Sequence, residues 1–124
     1  MAALSPIGWF EIPATDLERA QAFYERILGI GMTPFAEGAF RMAWFPSPDG
    51  GGGPAGALME ADRYVPSHDG PMVYFAVDDI DAVLARVEAA GGRVLSGKVG
   101  IGEHGFVGHF EDTEGNRIGL RSSS

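Results

Sequence analysis

Cysteine is absent from the 124 residues. A disulfide framework, a thiolate nucleophile and any Cys-ligated zinc or iron–sulfur centre are therefore excluded. Basic residues are scarce, with 9 Lys and Arg against 17 Asp and Glu and a net charge of -8. Nucleic acids and polyanionic membrane surfaces need a basic footprint, so neither is an expected partner. No apolar run approaches the roughly 18 residues that a bilayer-spanning helix requires. Residues Met1 to Pro6 lack the charged and long apolar regions of a secretory signal, so the expected location is the cytoplasm. What is present suits an ordinary globular fold. Hydrophobic residues make up 45% of the chain, which excludes disorder. The length fits a single domain over residues 1–124, or two half-modules sharing one core.

Periodicity outlines the elements. Phe10 and Ile12 alternate with Trp9 and Glu11, a strand pattern that Pro13 ends. Thr15-Asp16-Leu17-Glu18 reads as a capping box, with the Thr15 hydroxyl as cap and Glu18 reaching back. Leu17, Ala20, Phe23, Tyr24, Ile27 and Leu28 then form one helical stripe, which Gly29 stops. Strand-like stretches follow at 32–35, 40–45 and 55–59, the last two separated by a Gly- and Pro-rich loop. The design recurs. Met72 to Val77 alternates, Asp78-Asp79-Ile80-Asp81 begins a helix striped by Val83, Leu84 and Val87, and Gly91-Gly92 stops it. Further strands are expected at 93–99, 105–111 and 117–120, with a turn at Asp112–Asn116 between the last two.

The repeat has a fixed offset. Thr15, Asp16 and Leu17 align with Asp78, Asp79 and Ile80 at a spacing of 63 positions (78 − 15). The chain thus reads as an α+β protein of two tandem βαβββ modules, about 5–62 and 69–122. Each mixed sheet has one face under its helix, and the free faces are expected to curve around a shared cleft. Uncovered sheet edges favour self-association, so a homodimer is expected.

Three segments carry a family resemblance: Trp9 to Tyr24 followed by Leu28-Gly29, Tyr74-Phe-Ala-Val-Asp-Asp-Ile-Asp81, and Asp112-Thr-Glu-Gly-Asn-Arg-Ile-Gly-Leu120. Together they resemble the vicinal oxygen chelate superfamily of glyoxalases, bleomycin resistance proteins and extradiol dioxygenases. Within it the chain is most similar to small bacterial glyoxalase-like members. That resemblance implies a divalent metal held by His or Glu from both modules. The implied ligand positions fall on Trp9, Met72 and Gly119, with Glu60 as a looser match for the fourth. Trp, Met and Gly offer no hard donor. No cofactor is therefore expected, and the first reading is a small organic ligand bound without the usual metal. The alternative is a divalent-metal-dependent lyase or dioxygenase with a non-standard ligand set of Glu11, Glu60 and His109. A metal-free lyase or isomerase with Glu11 or His109 as base is its variant.

Strand parity names the candidate cleft residues. With Phe10, Ile12, Val73 and Phe75 under the helices, Trp9, Glu11, Met72 and Tyr74 face the cleft, an aromatic lining suited to a flat organic ligand. His109 and Glu111 share a strand face and form a candidate acid–base pair. His104 and His109 fall on opposite faces of a regular strand. His68 reads as a solvated turn residue. Glu11 is a candidate base or ammonium-binding group, its bland counterpart being an edge-strand charge. Arg41 and Arg117 are candidates to pair with Glu11, Glu111 or a ligand carboxylate. The Gly50–Gly53 run and Ser96-Gly-Lys98 lack the ending of a phosphate loop; the former reads as a flap or a tolerant loop.

Overall fold

The computed structural model describes residues 6–47 and 54–124, and the Gly50–Gly53 run lies outside them. The elements are β1 (Phe10–Pro13), α1 (Leu17–Leu28), β2 (Thr33–Glu37), β3 (Phe40–Trp44), β4 (Gly56–Glu60), β5 (Tyr74–Ala76), α2 (Ile80–Val87), β6 (Arg93–Gly100), a 3-10 turn (Gly102–His104), β7 (Phe106–Glu111) and β8 (Arg117–Ser122). They form two four-stranded sheets, ordered β1-β4-β3-β2 and β5-β8-β7-β6. In each, the first and last strands of the module pair in parallel and the other pairs are antiparallel. This is the α+β arrangement of two repeated modules.

The repeat holds at the helix starts. The Asp16 carboxylate caps α1 by accepting from the Arg19 N–H at 3.1 Å. Asp79, 63 positions on (79 − 16), caps α2 by accepting from Ala82 N–H at 3.0 Å. Gly29 ends α1 at a φ of 65°, a conformation that disfavours side chains with a Cβ. The Thr15–Glu18 capping box does not form. Glu18 pairs with Arg41 instead. The free N–H groups of α1 are met by carboxylates from distant elements: Thr15 and Asp16 donate to Glu114 Oε1 at 2.9 and 2.8 Å, and Leu17 donates to Glu60 Oε1 at 2.8 Å. Carboxylates at a helix N-terminus are favoured by its exposed donors and its dipole.

The helix-bearing faces of both sheets build one core, with α1 against each. Tyr24 is fully buried, its ring 5.6 Å from that of Phe45 in the first module and 5.9 Å from that of Phe75 in the second. Phe23 packs on Phe110 at 5.8 Å, and Phe10 on Phe75 at 5.9 Å. Burying such a side chain stabilises by roughly 1.5–3 kcal/mol. The same parity sends the other side of each sheet away from the helices.

The turn Asp112–Asn116 locks the modules together. Asp112 Oδ1 accepts from the backbone N–H groups of Glu114, Gly115 and Asn116 at 2.9–3.0 Å. Asp112 Oδ2 accepts from the Tyr24 hydroxyl at 2.6 Å and from Asn116 Nδ2 at 2.9 Å. Asn116 Nδ2 also donates to the carbonyl of Pro13 at 2.8 Å. The Glu114 side chain is fully buried and takes a charged bond from Arg19 at 2.8 Å. Burial works against its ionised form, but the bonds from Arg19, the Asp16 N–H and Thr113 outweigh it, so its carboxyl titrates below the usual range.

Replacing Glu114 by Gln removes the charge that satisfies Arg19 and the α1 donors, and is expected to destabilise the fold by about 2–4 kcal/mol at neutral pH. The midpoint and slope of urea unfolding measure this. Because the folded-state carboxyl is depressed, its contribution is present above the unfolded value of about 4.3 and lost as pH falls through the folded value. The gap between wild type and Glu114→Gln should therefore be constant from neutral pH to near pH 5 and close in more acid solution.

Candidate functional site

The free face of the second sheet carries a hydrogen-bonded pair. Tyr74 on β5 pairs in register with Gly119 on β8, which in turn faces His109 on β7. The Tyr74 hydroxyl lies 2.8 Å from His109 Nε2, and the two rings meet edge-on at 5.5 Å. Gly119 makes this possible: a Cβ there would stand 2.4 Å from the Tyr74 ring. Burial first, and the positive charge of Arg117 second, hold the His109 pKa below its ordinary value. The imidazole is thus neutral near pH 7. With its proton on Nδ1, Nε2 accepts the Tyr74 hydroxyl hydrogen.

Glu111 shares that face but not that pair. It accepts from His68 Nε2 at 2.7 Å and from Arg93 at 3.4 Å, and bonds from Arg93 and His68 keep its carboxyl below the usual range. The expected His109–Glu111 pairing is replaced by two separate ones. His68 is exposed in its turn, as expected, and its ring also ties the linker to β7. His104 lies off the strand, in the 3-10 turn, with the backbone reversed at Gly105 before β7 begins.

On the first sheet, Trp9 and Glu11 lie together on the free side. Trp9 Nε1 donates to Glu11 Oε2 at 3.2 Å, and a hydrogen bond to Glu11 raises the Tyr64 pKa. Trp44 stands in the same row as Glu11, with Ala57 between them. Its ring stacks on Phe35 at 4.8 Å, and its buried Nε1 has no hydrogen-bond partner among the described residues. Trp9 and Tyr74 remain 41% and 43% exposed, large aromatic surfaces facing away from the core. Met72 is half-buried just ahead of β5.

The remaining candidates are not gathered here. Arg41 and Glu60 lie on the helix-bearing side of the first sheet, in the parity of buried Ala43 and Leu58. Arg41 pairs with Glu18 and, at 3.1 Å, with Glu60, whose carboxylate also caps α1. Arg41 is therefore no partner for Glu11. The ligand set Glu11, Glu60 and His109 is not assembled in this chain: Glu60 is on the opposite side of its sheet from Glu11, and His109 is on the other sheet. Among the described residues no three His, Asp or Glu side chains come close enough to hold a metal. The metal positions implied by the resemblance do not fit one either. Trp9 and Met72 bring no hard donor, and the room at Gly119 is taken by the Tyr74 ring.

Sequence parity misses several of these relations. The Tyr74–His109 pair depends on the register of β5 on β8, which no periodicity encodes. Trp44 and Tyr64 are brought to the Glu11 side by pairing and by the linker, and no local signal marks them. No described helix is long and apolar enough to cross a membrane.

Comparisons with known proteins agree with this architecture. A family model, the Glyoxalase/Bleomycin resistance protein/Dioxygenase superfamily, matches residues 6–120. A "Glyoxylase-like domain-containing protein" of Didymella fabae is 35% identical over 114 residues, covering 89% of this chain and 88% of that one. "Putative glyoxylase CFP32" of Mycobacterium tuberculosis is 30% identical over 119 residues, and the match covers 91% of this chain but 44% of that relative. The solved structure of TnmS3, an antibiotic binding protein from Streptomyces sp. CB03234, superimposes with a TM-score of 0.68 at 24% identity over the full length of both chains. With the family model spanning nearly its whole length over two βαβββ modules, the chain belongs to the glyoxalase/bleomycin resistance protein/dioxygenase superfamily.

Proposed function

We propose that this protein binds a small organic molecule on the free faces of its sheets, with aromatic side chains in place of a divalent metal. The carrying observation is the Tyr74 ring seated on Gly119 and bonded to His109. Where a metal-binding relative needs a carboxylate, this chain offers a π-face, a hydroxyl and a neutral imidazole. Trp9, Tyr74 and the stacked Phe35–Trp44 pair supply the flat apolar area that such a ligand requires. The name of TnmS3 as an antibiotic binding protein supports the reading by analogy. We further propose a homodimer in which a second copy covers the exposed aromatic faces.

A second reading rests on the same pair. A ligand held against Tyr74 loses a proton to the phenol oxygen while the phenol proton passes to His109 Nε2. This is a metal-free lyase or isomerase step in which His109 is the final base. Glu11, on the other sheet, would serve as a separate base.

Three measurements bear on these readings. After incubation with Ni, Zn, Mn or Fe(II) and desalting, elemental analysis should find far less than one metal per chain, and near-stoichiometric metal would overturn the first reading. The uncharged probe 2-naphthol should give saturable NMR shifts on β1, β5, β7 and β8, and Tyr74→Ala should weaken it by roughly tenfold. Absence of saturation in the wild type would sink the aromatic-face reading. The His109 C–H resonances should titrate below the ordinary imidazole value. Arg117→Gln should move that pKa upward, since the lost cation no longer opposes protonation.

A further inference from the structure

Between the two sheets, under the linker that joins the modules, lies a cavity of about 250 Å3. Its walls carry charges of both signs. Glu11 from β1 and Asp69 from the linker supply the negative charge, and Arg117 from β8 the positive. Val65, Pro71 and Val73 supply an apolar lining. Neither Tyr74 nor His109 lines it, and it meets the aromatic face of the first sheet only through Glu11, which Trp9 bonds.

The cavity is held open by named bonds. Asn116 ties three segments together: its Nδ2 donates to the Pro13 carbonyl at 2.8 Å and to Asp112, and its Oδ1 accepts from the Ser67 N–H at 3.3 Å. The Arg117 N–H donates back to the Ser67 carbonyl at 3.3 Å. The linker is thereby fastened to the start of β8. Trp9 Nε1 and Tyr64 fix the Glu11 carboxylate from its outer side. The Arg117 guanidinium, by contrast, has no hydrogen-bond or ion-pair partner among the described residues.

A free guanidinium recognises a carboxylate. Two carboxylates lining one cavity attract an ammonium group. A simple anion would meet Glu11 and Asp69, and a simple cation would meet Arg117, so each is opposed by one wall. The volume lies below the roughly 300–1,000 Å3 of pockets for drug-sized ligands, so the occupant is small. We propose that this seam cavity binds a small zwitterion, an α-amino acid with a short apolar side chain. Its ammonium group faces Glu11 and Asp69, its carboxylate faces Arg117, and its side chain lies on Val65, Pro71 and Val73.

The test uses the full chain and matched probes. L-alanine, L-valine and L-leucine are titrated by NMR and calorimetry beside 3-methylbutylamine and 4-methylpentanoate, which are leucine without its carboxylate and without its amine. At least one amino acid should bind saturably, and both monopolar analogues should bind at least tenfold more weakly than leucine or its best-binding congener. Arg117→Gln should cost the amino acid at least tenfold while strengthening the weak binding of the amine, since the opposing cation is gone. Glu11→Gln should cost a similar factor while strengthening the weak binding of 4-methylpentanoate, since one opposing carboxylate is gone. No saturable binding of any of the three amino acids up to about 10 mM, well above useful affinities, would overturn the proposal. Equal binding of the amine and leucine would overturn it too, by showing a cation site. The probe comparison on the wild-type protein decides the matter even where a variant fails to fold.

Discussion

The fold turns on five residues, Asp112 to Asn116, placed where both modules meet. Inside a medium of low dielectric, an unpaired carboxylate is costly, and a paired one with every oxygen satisfied holds its surroundings to a single arrangement. Asp112 is 3% exposed and its two oxygens accept five bonds, three from its own turn, one from Asn116 and one from Tyr24 of the other module. Glu114 closes the N-terminus of α1 from across the module boundary. Tyr24 itself sits among Phe45, Phe75 and Phe110, and burial first, then Asp112, keeps its phenol protonated. The helix of one module is thus finished by the turn of the other, and neither module has a complete core alone.

That joining has a consequence for the surface. Since the helix-bearing faces are packed on one another, the free faces look outward, and large aromatic side chains stay exposed on both. The residues assigned to one cleft fall into two groups, Trp9 with Glu11 and Tyr74 with His109, each bonded within its own sheet. What the two sheets do enclose is the seam cavity beneath the linker, where Glu11 and Arg117 line the same space.

The strands, both helices and the 63-residue repeat were legible because each rests on local signals: alternation, the 3.6-residue stripe, an Asp cap and a stopping Gly. Strand parity correctly sorts Phe10 and Ile12 from Glu11, and puts His109 and Glu111 on one face. No parity argument reaches Arg41 and Glu60, and their mutual pairing at the α1 cap is a contact between distant segments. The capping box failed in part for the same cause. The cap falls one residue on, at Asp16, and Glu114, 98 positions beyond it, takes the Thr15 and Asp16 N–H groups. Long-range polar pairing leaves little trace in one sequence, whereas apolar periodicity leaves a clear one.

The Tyr74–Gly119 pair shows how this chain fills the space that a metal ligand would need. A glycine in a central strand lacks side-chain packing and is weakening unless something approaches closely, and here the Tyr74 ring does. The two residues are complementary: a Cβ at 119 would meet the ring at 2.4 Å, and removing the ring alone would leave a bare strand beside His109. A carboxylate at position 119 therefore requires a smaller residue at position 74 in the same chain. Such a double change would still leave Trp9 and Met72 without hard donors. The departure from the family's ligand residues is distributed over both modules, and no single substitution in either sheet reverses it.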